Sequence, residues 1–204
     1  MRTVILVAVL AGLAPGCGLT VGPSNLPSVA YYEVVLGADR SAKARTPVGS
    51  TVVLRPFTQS SALDRDGVRY RTSDVEGGYW TFHRWSEPVE SMVRSVLARD
   101  LERTGVFDAV VLIDNAGLAN YMVDAAVHRF DEVDAADGWS AVVEITFEVV
   151  RTSDGVLLLH DRIRAKSKSD SNSVPEVVRA LGRALESVFD DFYDELARVT
   201  AGGG

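Results

Sequence analysis

Cysteine occurs once among the 204 residues, at Cys17, so no disulfide can close within the chain and an oxidising compartment would add nothing to its stability. Long apolar runs are missing too. The run near the N-terminus, Val4 to Leu13, is about half the roughly 20 residues that a membrane-spanning helix requires. Basic residues are scarce: 21 Lys and Arg stand against 28 Asp and Glu, a net charge of −7 that leaves no cationic footprint for nucleic acid. The three histidines, His83, His128 and His160, are scattered, and none has a second His, Cys or carboxylate at a spacing that recurs in zinc sites. The Gly-x-Ser-x-Gly elbow, the Gly-x-x-x-x-Gly-Lys phosphate loop and the Gly-x-Gly-x-x-Gly dinucleotide turn are all absent. Asp131 to Gly138 lacks the closing Glu of a calcium loop, and the groups Asp131-Glu132-Asp134 and Asp190-Asp191 read as solvated charge. An enzyme reading therefore has no residue to rest on. The chain is read as non-catalytic, with neither metal nor cofactor.

What the chain does have begins at that cysteine. Met1-Arg2-Thr3 carries one positive side chain, Val4 to Leu13 forms an apolar stretch, and Ala14 and Gly16 are small residues before a cleavage point. The arrangement resembles the lipobox of bacterial lipoproteins, with Ala14 where Leu is commonest. Residues 1–16 are thus read as a signal peptide and Cys17 as the site of lipidation. Gly18 to Ser28, rich in Gly, Pro, Ser and Asn, reads as a flexible tether, so that 17–28 is anchor and spacer. Removing 1–16 leaves 204 − 16 = 188 residues and, with Arg2 gone, a charge of 20 − 28 = −8, which suits one domain with a sizeable core. That domain is placed at 29–200, and 201–204 reads as a disordered tail.

Periodicity within the domain predicts strands at Tyr31–Leu36 and Thr51–Phe57, a polar stretch over 58–78, and a further strand over Tyr79–Trp85. A helix is predicted from Ser86 as N-cap, with Glu87, Pro88 and Glu90 in its first turn. Its stripe Val89, Met92, Val93, Val96, Leu97 and Leu101 faces a core, and Gly105 is its stop signal. Strands follow at 106–113, 121–130, 140–150 and 156–163, with turn signals at Asp137-Gly138 and Asp154-Gly155 that make the connections hairpins. In the third of these, Ala141, Val143, Ile145, Phe147 and Val149 alternate with Glu144, Thr146 and Glu148, which predicts one buried and one wet face. Ser173-Val174-Pro175-Glu176 reads as a capping box that opens a long helix running to about Val199.

His83-Arg84-Trp85-Ser86-Glu87-Pro88 is the most distinctive internal string, and it lies where a strand meets a helix. Trp85 can pack under the helix start while Arg84 reaches a carboxylate or carbonyl, or the string can meet a partner. Both readings stay open on these residues alone. Taken together, Cys17, Tyr31-Tyr32, Arg55-Pro56-Phe57, Leu63-Asp64-Arg65, Arg84-Trp85-Ser86-Glu87-Pro88 and the closing helix resemble the ABC-type transport auxiliary lipoprotein family, which includes paraquat-inducible protein C. This chain has Ser86 where that family commonly has Ala, and its Tyr79-Trp80-Thr81-Phe82 run is foreign to the pattern. The resemblance implies an α+β two-layer sandwich, a mixed and mostly antiparallel sheet with two helices on one face, similar to the TolB N-terminal domain. It also implies a lipid-anchored protein at the periplasmic face of the outer membrane. There it would serve an MCE-domain protein and ABC transporter subunits that move phospholipid between membranes, and could assemble as a ring. The alternative is an outer-membrane assembly or lipid-binding lipoprotein with no transporter.

Overall fold

The computed structural model describes residues 27–38, 40, 47–48, 50–112, 119–136 and 138–201. The expected signal peptide, Cys17, the tether up to residue 26, Asp137 of one turn signal and residues 202–204 lie outside the described residues. In chain order the elements are β1 (Ala30–Tyr32), β2 (Thr51–Leu54), β3 (Thr58–Gln59), a 3-10 turn (Ser61–Leu63), β4 (Gly67–Arg71) and β5 (Gly77–Trp85). These are followed by α1 (Val89–Thr104), β6 (Ala109–Val111), β7 (Tyr121–Ala135), β8 (Gly138–Arg151), β9 (Val156–Lys168) and α2 (Val174–Ala201). The strands form one nine-stranded mixed sheet, and the class is α+β.

β7 organises that sheet. Along one edge it pairs antiparallel with β8 over its whole length, and β8 pairs with β9 in the same sense, so 121–168 is a meander of long hairpins. Along its other edge β7 takes β2, β3 and β4 in turn, all parallel, opposite Tyr121–Val123, Ala126–Val127 and Asp131–Val133. β6 extends the sheet beyond β2, while β5 and then β1 extend it beyond β4. The register of β7 slips between Val127 and Arg129. One added residue moves every later side chain to the opposite face. Before the slip Val123, Ala125 and Val127 face the helices; after it Phe130 and Glu132 do, lying opposite Val143 and Ala141.

Both helices cover this face, α2 over β8 and β9 and α1 over β6 and β7. Their apolar stripes meet the inward residues of the sheet in one continuous core. Phe192 of α2 stacks on Phe147 of β8 with centroids 4.2 Å apart, and Trp85 sets its edge on Phe130 at 5.4 Å. Each such ring removes 150 Å² or more from water, by a rough general figure, and this burial is what holds the helices to the sheet. Gly182 of α2 matters here because a Cβ would stand 2.8 Å from the carbonyl oxygen of Val35. The segment after β1 passes under the helix only because that residue has no side chain.

Several boundaries differ from the sequence reading, each for a physical reason. β1 stops at Tyr32 because its partner β5 ends opposite it, at Trp85. Val34 and Leu36 are buried without a ladder, and the Val34 amide donates to Met92 Sδ at 3.4 Å. Ser86 does not cap α1: its amide donates to Tyr32 O at 3.0 Å and so still belongs to the sheet. Pro88 occupies the N-cap, without a side-chain cap bond. The stop holds, since Gly105 adopts φ of 66° as glycine readily does. The polar stretch 58–78 contains β3, the 3-10 turn and β4, which short length hid. β6 is shorter than 106–113, because Val106 and Phe107 turn into the core instead. Glu144 lies on no wet face either: it is buried and bridged by Arg162 and, at 3.8 Å, by Arg164. Ala201 closes α2 and is no tail.

One ionic cluster joins the helices to the segment before β2. Asp100 of α1 has a fully buried side chain that Arg40 grips twice, Nε to Oδ1 at 2.9 Å and Nη2 to Oδ2 at 2.7 Å. Arg103 Nη2 donates to Oδ1 at 2.9 Å, and the Tyr193 hydroxyl of α2 donates to Oδ2 at 2.9 Å. Arg40 also meets Asp190 at 3.1 Å. Burial alone would raise the Asp100 pKa, but the bonds from Arg40, Arg103 and Tyr193 hold it below the ordinary carboxylate value. Its stabilising contribution is therefore complete above the unfolded pKa and disappears as pH falls through the folded one. Asp100→Asn, which leaves the buried Arg40 with Asp190 as its remaining carboxylate and removes its two-bond partner, should cost about 3 kcal/mol at pH 7. Urea titrations at pH 7 and near pH 3 should show the gap to wild type narrowing in acid; an equal gap at both values would refute the ionic account.

Candidate functional site

The strand-to-helix junction builds a cleft. At the end of β5 the Trp85 amide donates to Asp66 O at 2.7 Å, while Arg84 Nη1 reaches Asp66 Oδ2 at 2.8 Å. The 63–66 stretch is thereby held against the 84–88 stretch. Trp85 is buried against Phe130, so it is a core anchor, whereas Ser86, Glu87 and Pro88 are exposed. Leu63 is buried and Asp64, Arg65 and Asp66 are exposed, with the Arg65 guanidinium 5.1 Å from the centre of the Tyr79 ring. These two stretches, with Tyr31, Gln59, Val89 and Glu90, enclose an open cleft of about 410 Å³. Its base is apolar, formed by Leu63, Trp85 and Val89. Its rim is formed by Asp64, Arg65, Asp66 and Glu87 and carries net negative charge. Below the rim the Glu90 amide donates to Gln59 Oε1 at 3.3 Å, while Glu90 Oε2 is buried and has no hydrogen-bond partner among the described residues.

The aromatic string next to this junction divides between two environments. β5 bulges against β4: five steps from Tyr79 to Arg84 oppose two from Gly67 to Arg69. Bulges re-aim side chains, and this one sends Trp80 toward the core side while Phe82 stays 41% exposed. Trp80 is surrounded by Tyr70, Trp139 and His83, with centroids at 5.5, 5.6 and 5.9 Å. Its Nε1 donates to Glu132 Oε2 at 2.9 Å. Glu132 is buried, and burial raises its pKa to about 7, with the Asp134 charge adding to the rise and the Trp80 bond opposing it.

Of the three β7 carboxylates read as solvated charge, Asp134 is exposed as expected but Asp131 and Glu132 are not solvated. Asp131 and Glu132 are both buried, and Asp131 is held by Arg69 and Arg129 at 2.9 Å each. The signal that could have found them is the alternation of 121–135, which continues past 130 if one residue is allowed to bulge. The histidines go separate ways: His83 Nδ1 meets the Tyr32 hydroxyl at 2.7 Å, His128 Nε2 meets Thr146 Oγ1 at 2.9 Å and His160 Nδ1 meets Glu148 at 2.9 Å. Among the described residues no group of three His, Cys, Asp or Glu side chains converges as a metal site would require. Of the residues singled out in the sequence, Arg84, Trp85, Glu87 and Pro88 are brought together at the cleft, and Cys17 lies outside the described residues.

Comparison with known proteins bears on this arrangement. Residues 35–192 match the model of one family, described as the ABC-type transport auxiliary lipoprotein component. The chain belongs to this family. The match includes Leu63-Asp64-Arg65 and Arg84 to Pro88, the two walls of the cleft, but not Tyr31 or Cys17. A crystal structure of a Xanthomonas campestris protein is 18% identical and covers 85% of this chain and 97% of that one, with a TM-score of 0.69. A second, of an uncharacterised protein, is 16% identical over 83% of this chain and 99% of that one, with a TM-score of 0.67. TolB from Acinetobacter baumannii is 15% identical over 76% of this chain and 30% of that one, with a TM-score of 0.35. The first two likenesses speak to the fold of the family. None of the curated proteins matches. Among the described residues no helix is long and apolar enough to cross a membrane.

Glu132 provides a test of the aromatic environment. Its folded pKa lies above the unfolded value near 4.5, so between about pH 4.5 and 7 the native state holds a proton that the unfolded chain releases. Stability from this group accordingly falls as pH rises through that window. Glu132→Gln keeps an acceptor for Trp80 Nε1 and removes the charge. Its advantage over wild type should be small near pH 5 and grow to about 2 kcal/mol at pH 8. Thermal melts across pH 5 to 8 decide this, and parallel curves would show that Glu132 is not the titrating group.

Proposed function

We propose that this chain is a non-catalytic auxiliary lipoprotein anchored by Cys17 at the periplasmic face of the outer membrane. In this reading it serves an ABC transporter and an MCE-domain protein that pass phospholipid between the two membranes. The family match over residues 35–192 carries the proposal, because it covers nearly the whole described domain and is specific to transport auxiliaries. Cys17 after a signal-like run supports the anchor, and the net negative charge supports attachment through lipid instead of through anionic headgroups. The domain then works by position. Its lipid fixes it to the membrane, and the cleft between 63–66 and 84–90 docks the transport assembly, as one copy or as a ring.

Two observations test the proposal. Cys17→Ala should shift the protein from the membrane fraction to the soluble fraction of envelope extracts and abolish its contribution to lipid transport; membrane retention with full transport would remove the anchor from the account. Mild-detergent purification of the full chain should bring down an MCE-domain protein with its ABC subunits. Recovery of an outer-membrane assembly complex in their place would transfer the chain to the rival reading.

A further inference from the structure

We infer that the cleft receives an extended segment of its protein partner in which an apolar side chain is flanked by Lys or Arg. The inference rests on the docking role proposed above and specifies the chemistry of the segment that docks. Size comes first: about 410 Å³ accommodates a few side chains, as an extended segment presents them. The base is formed by the buried surfaces of Leu63, Trp85 and Val89, while Tyr31 stands at the edge 65% exposed. A large aromatic side chain left in water beside an apolar base is the kind of residue that anchors interfaces.

Charge then selects among apolar occupants. Asp64, Asp66, Glu87 and Glu90 line the cleft together with one cation, Arg65, which lies over the Tyr79 ring; Arg84 pairs with Asp66, so the excess negative charge rests on Asp64, Glu87 and Glu90. The start of α1 explains part of this, since carboxylates are favoured at the positive end of a helix. That account covers Glu87 and Glu90, and the Arg84 pair accounts for Asp66, but this leaves Asp64, which belongs to the preceding stretch and accepts from the Gln59 amide at 3.5 Å. It also leaves Glu90 Oε2, buried with no partner where nearly all buried polar atoms have one. A lysine or arginine docked at the rim would compensate its excess negative charge and offers several N–H donors to the exposed carboxylates. A membrane surface carrying anionic headgroups would be repelled by the same rim, and a second copy of this acidic chain is disfavoured on the same ground.

The test places the photoreactive residue p-benzoylphenylalanine at Tyr31 of the full chain in living cells, with the same residue at the exposed, distant Val156 as control. The crosslinked peptide is then sequenced by mass spectrometry. The expected adduct from position 31 is a protein segment with an apolar residue next to Lys or Arg, absent from the Val156 control. Reversing the rim with Asp64→Lys and Glu87→Lys, both at exposed positions, should lower the yield at least about tenfold while the thermal melt stays unchanged. An adduct to phospholipid, to a second copy or to a segment without basic residues overturns the inference, as does no adduct or a yield indifferent to charge reversal. The identity of the crosslinked protein tests the transport reading separately. A basic segment from a protein outside any transporter would keep the inference and remove that reading.

Discussion

β7 imposes the constraint on which everything else depends: a single fifteen-residue strand has both edges occupied along most of its length. Its partner on one side is the continuous β8, and on the other three short strands are laid end to end. Short strands cannot stand alone in water, so β2, β3 and β4 exist because β7 supplies a finished edge for them. The slip after Val127 then decides which residues of its second half face the helices. Without that added residue Phe130 would face away from Trp85, and the strand-to-helix junction would lose its anchor.

Charges inside the domain fall into two groups. Asp100, Asp131 and Glu144 are each met by two arginines, which is what burial of a carboxylate requires. Among the described residues Glu132 accepts from the Trp80 N–H, and one Glu90 oxygen has no hydrogen-bond partner. The satisfied carboxylates join elements: Asp100 connects both helices to the segment before β2, and Asp131 connects β7 to β4. The unsatisfied ones border the aromatic bulge and the cleft.

The sequence made much of this architecture readable and concealed particular parts of it. The stripes of α1 and α2 and the alternation of β8 were legible because their length exceeds any accidental pattern, and Gly105 marked its helix end through the φ it adopts. β3 and β4 were not legible, because a strand of two to five residues shows no periodicity and is set by the edge that it joins. Ser86 looked like a cap, and only the pairing of β1 with β5 shows that its amide is committed to Tyr32. At the cleft the string Arg84 to Pro88 was recognisable, but its meeting with Leu63-Asp64-Arg65 is a tertiary fact. Arg40 could not have been assigned to Asp100 across 60 residues without the structure.

With Cys17 lipidated as proposed, geometry ties anchor and cleft together. Nine residues, 18–26, lie between Cys17 and Pro27, the first described residue, and those ten chain steps (27 − 17 = 10) reach at most about 35 Å. A domain of this size is itself roughly 40 Å across, so the tether keeps it within one diameter of the membrane. Tyr31 follows the tether closely and borders the cleft, which places the negative rim on the side from which the anchor leaves. A partner held at the same membrane then meets the cleft at the high local concentration that a short tether creates. An open cleft of modest depth is sufficient under those conditions. Affinity that would be too weak for a protein free in the periplasm becomes adequate for one confined to a surface, and the selectivity that remains to be supplied is electrostatic.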